Sequence, residues 1–517
     1  MQWHAVQRAV SGRLSILTGG PGVGKCLHGE TLVVANDELV PISSLWADAG
    51  PATHDGEGWW ATPISEIRVP SLSAAGQMVT ARAERLYRQR IAEVCREVIL
   101  SDGSRVIATK SHRFLGRDGW TANINVGDRI CVPGHLPDGT SEIDPQLASL
   151  LAWQIAEGHE ADRTVRIYQK DHAVLERVRD AAIAVASRHG LDVGTMRIVQ
   201  EPDRCAYLRI NSVAYRQFLE DRGYQWGRQS RDKRIPRFIM TADRVAARTF
   251  IRAFVAAEAH VAPVGRIEIS SASRDLLQQL QVLLRRFGVW MSLRATQKAA
   301  TNGTNIRREY FEGSISGPSL RAYHDRIGVA DAVKQRALES AVAKPTNPNQ
   351  DTVAVSDLLH RAKQESGLGR RYFGLSSSYF STAKEPSRLV AWRTTARIRD
   401  MADGTADTFH ENRIAALTTR AGHRYKAQTR AAFAAMDRCR MQEITDQIDE
   451  RLRRDTFFAE VVSVRDVFVD DWVYDLTVEP HHNFVAGGML CHNTATLRTL
   501  VDVLRERKLR AVLCAPT

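Results

Sequence analysis

Alternation and helical spacing of apolar residues divide the chain into stretches of different character. Residues 26–134 contain short apolar runs bounded by turn signals, a pattern typical of strands. Residues 145–454 carry apolar residues mostly at helical spacing, and strand character then returns. We therefore predict two β-rich segments around a mostly helical middle. The predicted strands are Thr31–Ala35, Val98–Leu100, Arg105–Thr109, Glu460–Val469 and Val473–Val478, with turns at Asn36-Asp37 and Asp102-Gly103.

The two ends of the chain carry a motif that is complete only when they are joined. Residues 19–25 form the phosphate-binding loop G-x-x-x-x-G-K of a P-loop NTPase, but Cys26 follows where a Ser or Thr hydroxyl must ligate the magnesium of the nucleotide. Thr494 supplies that hydroxyl after 468 intervening residues and opens an apolar pattern at helical spacing. The joined sequence predicts an ATP and Mg²⁺ site made of Gly19, Gly20, Pro21, Gly22, Val23, Gly24, Lys25 and Thr494, between strands at Leu14–Thr18 and Ala511–Cys514.

Bulk composition excludes several classes of protein. The chain has 517 residues, enough for about three domains. It contains no run of 18 or more apolar residues and no signal-peptide pattern, so we expect a cytoplasmic protein with no membrane partner. Seven cysteines, an odd number, do not predict a disulfide framework. The formal charge of +12 indicates a polyanionic partner.

Phrases at both ends of the inserted sequence resemble those of an intein with a Hint splicing domain. The resemblance spans all of 26–493, and its two junctions coincide with the interruption of the phosphate loop. The phrases are Cys26-Leu-His-Gly-Glu-Thr, T-x-x-H at Thr109 and His112, Tyr-Asp-Leu-Thr-Val around Asp475, His-Asn-Phe-Val-Ala from His482, and His492-Asn493 before a hydroxyl residue.

The resemblance implies a reaction at the upstream junction that needs no cofactor. Cys26 attacks the carbonyl carbon of Lys25 and exchanges a peptide bond for a thioester, since a thiol is the best nucleophile among the side chains. In this assignment His112 protonates the departing amide nitrogen, and Thr109 binds the tetrahedral oxyanion.

At the downstream junction, the resemblance implies two further steps. Thr494 attacks the thioester with its hydroxyl, helped by Asp475, and being held close makes this weak nucleophile adequate. Asn493 then cyclises onto its own carbonyl, with His492 and His482 as polarising groups. A spontaneous O-to-N shift leaves the two host fragments joined by a normal peptide bond.

Two segments in the middle of the chain repeat one pattern, an apolar helix with small residues that ends in a Glu. Small residues let two helices approach closely, so Glu157 and Glu258 would meet at the bottom of one groove. The pattern resembles the LAGLIDADG homing endonuclease family. That resemblance makes both glutamates ligands of Mg²⁺ and makes Lys233 the matching basic residue. It also implies double-stranded DNA as partner, with the gene for the uninterrupted phosphate loop as the homing site.

The repeat departs from the family pattern in two ways. Both acids are Glu rather than Asp, and Ala259 stands where the family has Gly. The alternative interpretation is a pair of amphipathic helices in a helical domain, or an insertion that splices but whose endonuclease is inactive.

Most of the excess positive charge lies in one segment. Residues 361–440 contain 16 Lys or Arg against 7 Asp or Glu, interleaved with aromatic residues. We hypothesise an additional DNA-contacting module over 345–455. A solvated basic helical face is the alternative.

The host sequence, 49 residues when joined, resembles the start of the motor in RecD-like superfamily 1 DNA helicases, whose substrate is DNA. Two other classes compete with the splicing hypothesis. A plain ATP-driven motor would not separate Lys25 from Thr494, and a hedgehog-like autoprocessing domain would need Cys26 but not Asn493. An ATP-dependent helicase or ATPase fragment with a splicing-only insertion is the nearest alternative.

We therefore expect a mixed fold and a monomeric insertion. An all-β, horseshoe-like Hint domain is split by an α+β LAGLIDADG domain and flanked by fragments of an α/β P-loop NTPase. The expected divisions are 1–25 and 494–517 for the host, 26–135 and 456–493 for the Hint domain, 140–340 for the endonuclease, and 345–455 for the basic helical segment.

Overall fold

The computed structural model describes residues 25–54, 57–194, 196–202, 204–262, 264–299, 307–344, 352–369, 373, 375–380, 384–403, 428 and 431–493. Several predictions made above fall outside these residues. They are the host strands, Gly19, Gly20, Pro21, Gly22, Val23, Gly24 and Thr494, and much of the basic segment.

Twenty-two strands and eleven α-helices are described, numbered here in chain order. The strands are β1 Leu27–His28, β2 Leu32–Ala35, β3 Glu38–Pro41, β4 Thr53–His54, β5 Trp59–Ala61, β6 Arg68–Leu72, β7 Met78–Leu100, β8 Arg105–Ala108, β9 Phe114–Gly116, β10 Gly119–Thr121, β11 Arg129–Pro133, β12 Gly158–Ala161, β13 Thr164–Tyr168, β14 Arg197–Val199, β15 Tyr207–Asn211, β16 Ala259–Ala262, β17 Arg266–Ser271, β18 Ser292–Ala299, β19 Arg307–Ser316, β20 Thr456–Val478, β21 Asn483–Ala486 and β22 Met489–His492. The helices are α1 Pro145–Glu157, α2 His172–His189, α3 Val213–Glu220, α4 Arg237–Met240, α5 Arg244–Glu258, α6 Arg274–Arg285, α7 Gly317–Arg326, α8 Ala332–Val342, α9 Ser356–Ser366, α10 Arg388–Ala402 and α11 Arg438–Leu452. Short 3₁₀ helices lie at Ile42–Asp48 and Ser377–Phe380.

The described chain forms two compact units. The first contains residues 25–73, 78–133 and 460–493, and the second contains 74–77 and 134–459. The first unit is therefore assembled from both ends of the predicted insertion.

The first unit is a β structure of fourteen described strands, with the path β3-β2-β21-β22-β9-β11-β20-β1-β8-β7-β5-β4 and with β6 and β10 at its sides. β2 and β3 form a hairpin whose turn residues, Asn36 and Asp37, have φ of 49° and 65°. These values are those of the turn that suits the twist of a hairpin. The strand and turn predicted at this point are confirmed.

The longest elements of the first unit differ from the prediction. β20 is one continuous strand, not two, and β7 extends far upstream of the three residues predicted for it. They pair antiparallel from Val461 with Leu100 to Val478 with Ala83. Their middle parts are largely exposed, so no alternation of apolar and polar residues marks them as strands.

The second unit repeats one arrangement twice. α1 is followed by the antiparallel sheet β12-β13-β15-β14, and α5 by β16-β17-β19-β18. The side chains of Asp144 and Asp243 cap the two helices by accepting from Gln146 N–H and Ala246 N–H. Helices make up most of the regular structure described in this middle part, as predicted, but eight strands that were not predicted individually also lie within it. The α+β class is the one observed.

α9, α10 and α11 pack around a separate cluster of buried residues within the second unit. Phe373, Ile398, Met441 and Ile444 are among its fully buried members. The helical character predicted for this segment is confirmed for its described residues.

Candidate functional site

The peptide bond between Lys25 and Cys26 lies against the end of β8. β1 pairs with both β8 and β20, with Leu27 opposite Ala108 and Tyr474. The N–H of Cys26 donates to Thr109 Oγ1 at 3.0 Å, and the N–H of Thr109 donates to the Cys26 carbonyl at 3.0 Å. The amide nitrogen that must leave in a thioester exchange is therefore held by the Thr109 hydroxyl.

His112 contacts the other side of the same peptide bond. Its Nδ1 lies 2.9 Å from the carbonyl oxygen of Lys25, so Nδ1 must carry the proton that is donated. Nε2 is buried and has no hydrogen-bond partner among the described residues. The expected roles are reversed. His112 contacts the carbonyl oxygen of Lys25, where Thr109 was expected, and Thr109 contacts the amide nitrogen of Cys26, where His112 was expected.

Burial keeps both His112 and Cys26 neutral. It lowers the pKa of His112 to about 4 and raises the pKa of the Cys26 thiol well above its ordinary value. The negative charges of Asp475 and Glu93 raise the thiol pKa further. Asp475 is itself buried and follows Tyr474, which places it opposite Cys26 in the register of β20 and β1. The thiol must therefore lose its proton during attack, not before it.

Asn493 is fully buried at the end of β22. Its N–H donates to the carbonyl of His482 at 3.1 Å, and its side-chain Nδ2 and Oδ1 have no partner among the described residues. An unpaired buried amide is costly and needs an explanation. A side chain that is to attack its own main-chain carbonyl must have its nitrogen available, and this one does.

His492 and His482 flank Asn493. The N–H of His492 donates to the carbonyl of Arg113 at 3.0 Å, and its ring meets the ring of Trp120 edge to face at 4.9 Å. Burial lowers the pKa of His492 to about 3, and the charges of Lys25 and Arg113 act in the same direction. His482 has a φ of 55°, uncommon for a residue other than glycine, and contributes its carbonyl.

Sequence reasoning missed the residue that fixes the downstream segment. Asn483 is buried, and its Nδ2 donates to the carbonyl of Leu72 at 2.9 Å while its Oδ1 accepts from the Leu72 N–H at 2.7 Å. The hydroxyl of Ser71 donates to the Asn483 carbonyl at 2.8 Å. The signal was present, since Asn483 lies within the His-Asn-Phe phrase that was used only for His482.

In the second unit, α1 and α5 pack against each other and end in the two predicted acids. Burial and the charge of Glu157 raise the pKa of Glu258 to about 7, and burial raises the pKa of Glu157. The two helices are in contact along their length, and each ends at its glutamate. The structure therefore brings Glu157 and Glu258 together.

Two lysines hold the ends of these helices. Lys233 Nζ donates to the carbonyls of Ile155 at 2.6 Å and Gly158 at 3.1 Å, and Lys334 Nζ donates to that of Ala256 at 2.6 Å. Burial lowers the pKa of both lysines, while Glu258 acts in the opposite direction on each. Sequence reasoning missed Lys334, yet it lies 76 residues after Glu258, as Lys233 lies 76 residues after Glu157.

The carboxylate pair fits a divalent cation in its chemistry. Among the described residues no group of three or more His, Cys, Asp or Glu could hold a metal ion. The pair is nevertheless made of hard oxygen donors, which Mg²⁺ prefers. Burial first, and then the charge of Glu157, raise the pKa of Glu258, and a bound cation would offset both effects.

Within the described part of the chain, none of the helices combines the length and the apolar character needed to span a bilayer.

Comparisons with known proteins give relatives for most of the chain. The family described as Intein splicing domain matches residues 35–493. The Replication factor C small subunit of Methanocaldococcus jannaschii is 25% identical over 348 residues, which cover 66% of this chain and 18% of that protein. The Replicative DNA helicase DnaB of Rhodothermus marinus is 23% identical over 500 residues, which cover 91% of this chain and 46% of that protein. The chain therefore spans less than half the length of these curated relatives.

Solved structures were also matched. A structure of mesophilic variants of the homing endonuclease I-DmoI gives a TM-score of 0.28 at 16% identity, covering 35% of this chain and 88% of that one. The structure of the PabCDC21-1 intein gives a TM-score of 0.20 at 22% identity, covering 22% of this chain and 74% of that one. The family match extends over most of the sequence and ends at Asn493, the buried residue of the downstream junction. This chain belongs to the intein splicing domain family.

Proposed function

We propose that the chain is a self-splicing precursor that excises residues 26–493 and joins Lys25 to Thr494. The observation that carries the proposal is the double contact on one peptide bond, with His112 on the Lys25 carbonyl and Thr109 on the Cys26 nitrogen. A hydrogen bond to the carbonyl oxygen makes its carbon more electrophilic and strengthens as negative charge develops on the oxygen.

The first step converts an amide into a thioester. Cys26 Sγ bonds to the Lys25 carbonyl carbon, the C–N bond breaks, and the thiol proton goes to the departing amine. Since His112 donates from Nδ1 to the oxygen, its unprotonated Nε2 remains a base. The Thr109 hydroxyl accepts from the Cys26 N–H and also donates to the Cys26 carbonyl at 3.3 Å, so it holds the departing residue on both sides as the bond breaks.

The later steps transfer and release the host fragments. Thr494 Oγ attacks the thioester, the Cys26 thiolate leaves, and the proton of the hydroxyl is taken up through Asp475, whose carboxylate lies opposite Cys26. Asn493 Nδ2 then attacks its own carbonyl carbon, which releases the Thr494 amine and leaves a succinimide. The neutral imidazole of His492 can accept or deliver the proton at this point.

For the host, we favour the Walker-type phosphate loop of an ATP-dependent, RecD-like DNA helicase, which splicing restores. The support is the motif itself, because Lys25 and Thr494 become neighbours only after excision. ATP and Mg²⁺ would then be ligands of the spliced host. A helicase or ATPase fragment with a splicing-only insertion remains the alternative.

A second activity, site-specific cleavage of double-stranded DNA, is favoured by the paired glutamates at the ends of α1 and α5. Glu157 and Glu258 would hold Mg²⁺, which supplies charge stabilisation at the scissile phosphate. Lys233 and Lys334 hold the two helix ends that carry these acids. The DNA encoding the uninterrupted phosphate loop is the proposed site.

The splicing proposal is tested by expressing the chain and analysing the products by gel and mass spectrometry. Splicing gives an excised protein of 468 residues and a ligated 49-residue peptide that contains Lys25 joined to Thr494. Release of the N-terminal fragment alone would favour a hedgehog-like reaction. An intact chain that forms no thiol-sensitive bond at Lys25 would overturn the proposal.

A further inference from the structure

The second unit contains a basic cavity whose volume is about 580 Å³. This volume lies within the usual range for small-ligand sites. The charged residues that line the cavity are mostly of one sign. They are Arg244, Arg326, Arg388, Arg453 and Arg454, with Asp455 as the acidic member.

This basic cavity is distinct from the glutamate pair. Arg244 is the first residue of α5, and Glu258 is the last. Because an α-helix rises 1.5 Å per residue, the two ends of α5 are about 21 Å apart along the helix axis. A ligand in the basic cavity would therefore not touch the proposed cleavage site.

Protein atoms use only part of the arginine donors. Arg326 Nη1 donates to the Phe287 carbonyl at 2.8 Å, and Arg388 Nη2 donates to that of Thr456 at 2.7 Å. Arg244 Nη1 contacts the carboxylate of Asp138 at 3.1 Å. Each guanidinium has five N–H donors. The carbonyl bonds fix the orientation of Arg326 and Arg388 without neutralising their charge, whereas Asp138 offsets the charge of Arg244.

Arg453 is exposed, and its side chain is the least engaged of the five with protein atoms. Its carbonyl accepts from Gln77 Nε2 at 2.9 Å, but its guanidinium has no hydrogen bond or ion pair with the described residues. It stands beside Arg454, whose exposed ion pair with Glu450 is long, at 3.4 Å. Like charges gathered in a concave site produce a focused positive potential that attracts anions.

An aromatic wall completes the basic cavity. Trp290 and Phe457 line it and contact each other edge to face, with ring centroids 5.0 Å apart. Arginines recognise phosphate by paired hydrogen bonds, and aromatic faces accept the flat ring of a nucleobase. The combination of both in one cavity points to a ligand with several phosphates and an attached base.

We propose that this basic cavity binds a polyphosphate-bearing ligand, either a free nucleotide or the backbone of a nucleic acid. Both ligands present phosphate groups. Among the five arginines, Arg453 has the most N–H donors that are not bonded to protein atoms. None of the residues that line the cavity belongs to the proposed splicing residues or to the glutamate pair.

The test uses the full chain carrying Cys26→Ala and Asn493→Ala, so that it stays in one piece. Binding of sodium tripolyphosphate, of ATP, and of a short duplex of unrelated sequence is measured by calorimetry without magnesium. We expect Arg453→Gln to weaken binding about tenfold and Arg453→Glu to weaken it further. Arg177→Gln and Arg177→Glu are matched controls, since Arg177 is an exposed arginine of the same unit on α2.

The probes distinguish the sources of phosphate. Arg453-dependent binding of ATP and tripolyphosphate, but not of the duplex, assigns a free nucleotide or polyphosphate. Arg453-dependent binding of the duplex alone assigns a nucleic-acid backbone. If no probe binds, or if Arg453→Glu binds every probe as tightly as Arg177→Glu while both remain folded by circular dichroism, the proposal fails. Should Arg453→Glu not fold, the same comparison is made with the two Gln variants.

Discussion

Burial acts on different charges in the two candidate sites. At the junctions of the first unit it lowers the pKa of His112 and His492 and raises that of Cys26, so each of these groups is neutral at pH 7. In the second unit burial, together with the charge of Glu157, raises the pKa of Glu258 to about 7, so this carboxylate is partly ionised at pH 7. The first site can thus work with proton transfers alone, whereas the second carries charge that a cation can balance.

The sharpest separation of the two sites comes from removing the reacting group of each. Cys26→Ala should lower ligated product by at least about a thousandfold, because it removes the thiol that the proposal makes the nucleophile at the upstream bond. DNA cleavage should be unchanged. Glu258→Gln should abolish DNA cleavage and leave the amount of ligated product unchanged. Mass spectrometry of the ligated peptide and a plasmid-cleavage assay measure the two, and a folded Glu258→Gln chain that does not splice would contradict the separation.

The comparison also predicts an acid sensitivity specific to the first unit. His112 and His492 have lowered pKa values when folded, so the unfolded chain binds protons first as pH falls below about 6.5. Stability present above that pH is lost as pH falls towards about 4, by roughly 3 kcal/mol for His112.

Hydrogen exchange of residues 78–133, corrected for intrinsic rates, measures this loss between pH 7 and pH 5 in the chain carrying Cys26→Ala and Asn493→Ala. His112→Phe should flatten the pH dependence, while His172→Phe, at an exposed position, should not. Equal slopes in all three proteins would mean that His112 is already charged when folded.

The sequence contained more of the sites than of the fold. Motif spacing pointed to Cys26, Asn493 and both glutamates as candidates, because the proposed chemistry demands particular side chains. The full length of β7 and the continuity of β20 were missed because the middle of each strand is largely exposed and its burial follows no simple alternation. Lys334 was missed because its role depends on where a helix ends in space, and Asn483 because its partners lie about 411 residues away in the chain.

Within the second unit, the two lysines offer a finer comparison. Lys334→Met should reduce DNA cleavage about a hundredfold, as Lys233→Met should, because each loses the cation that holds a helix end and offsets the glutamate charges. Lys170→Met, an exposed change of the same kind, is the control. If the Lys334→Met protein cleaves DNA as fast as the Lys170→Met protein, Lys334 does not play the same role in the second half of the repeat as Lys233 plays in the first.

The smallest effect concerns pH and metal together. Below pH 7 the cation must displace a proton from Glu258, so the magnesium concentration for half-maximal cleavage should fall about tenfold per pH unit from pH 5.5 to 6.5 and level off above pH 7.5. The proposed splicing steps use side chains alone, so we expect splicing to be insensitive to a chelator at every pH. A magnesium midpoint that does not move with pH would mean that Glu258 is not a ligand.

The pairing of β7 with β20 has a consequence for how the first unit can be built. Residues 83–100 and 461–478 are joined by main-chain hydrogen bonds along nearly their whole length, and Val461 also bonds to Asp128 and Gly127. The two ends are thus held by pairing rather than by the covalent path between them. Two separate polypeptides, one ending at 133 and one beginning at 460, therefore already possess the contacts with which to recognise each other and reconstitute the junction.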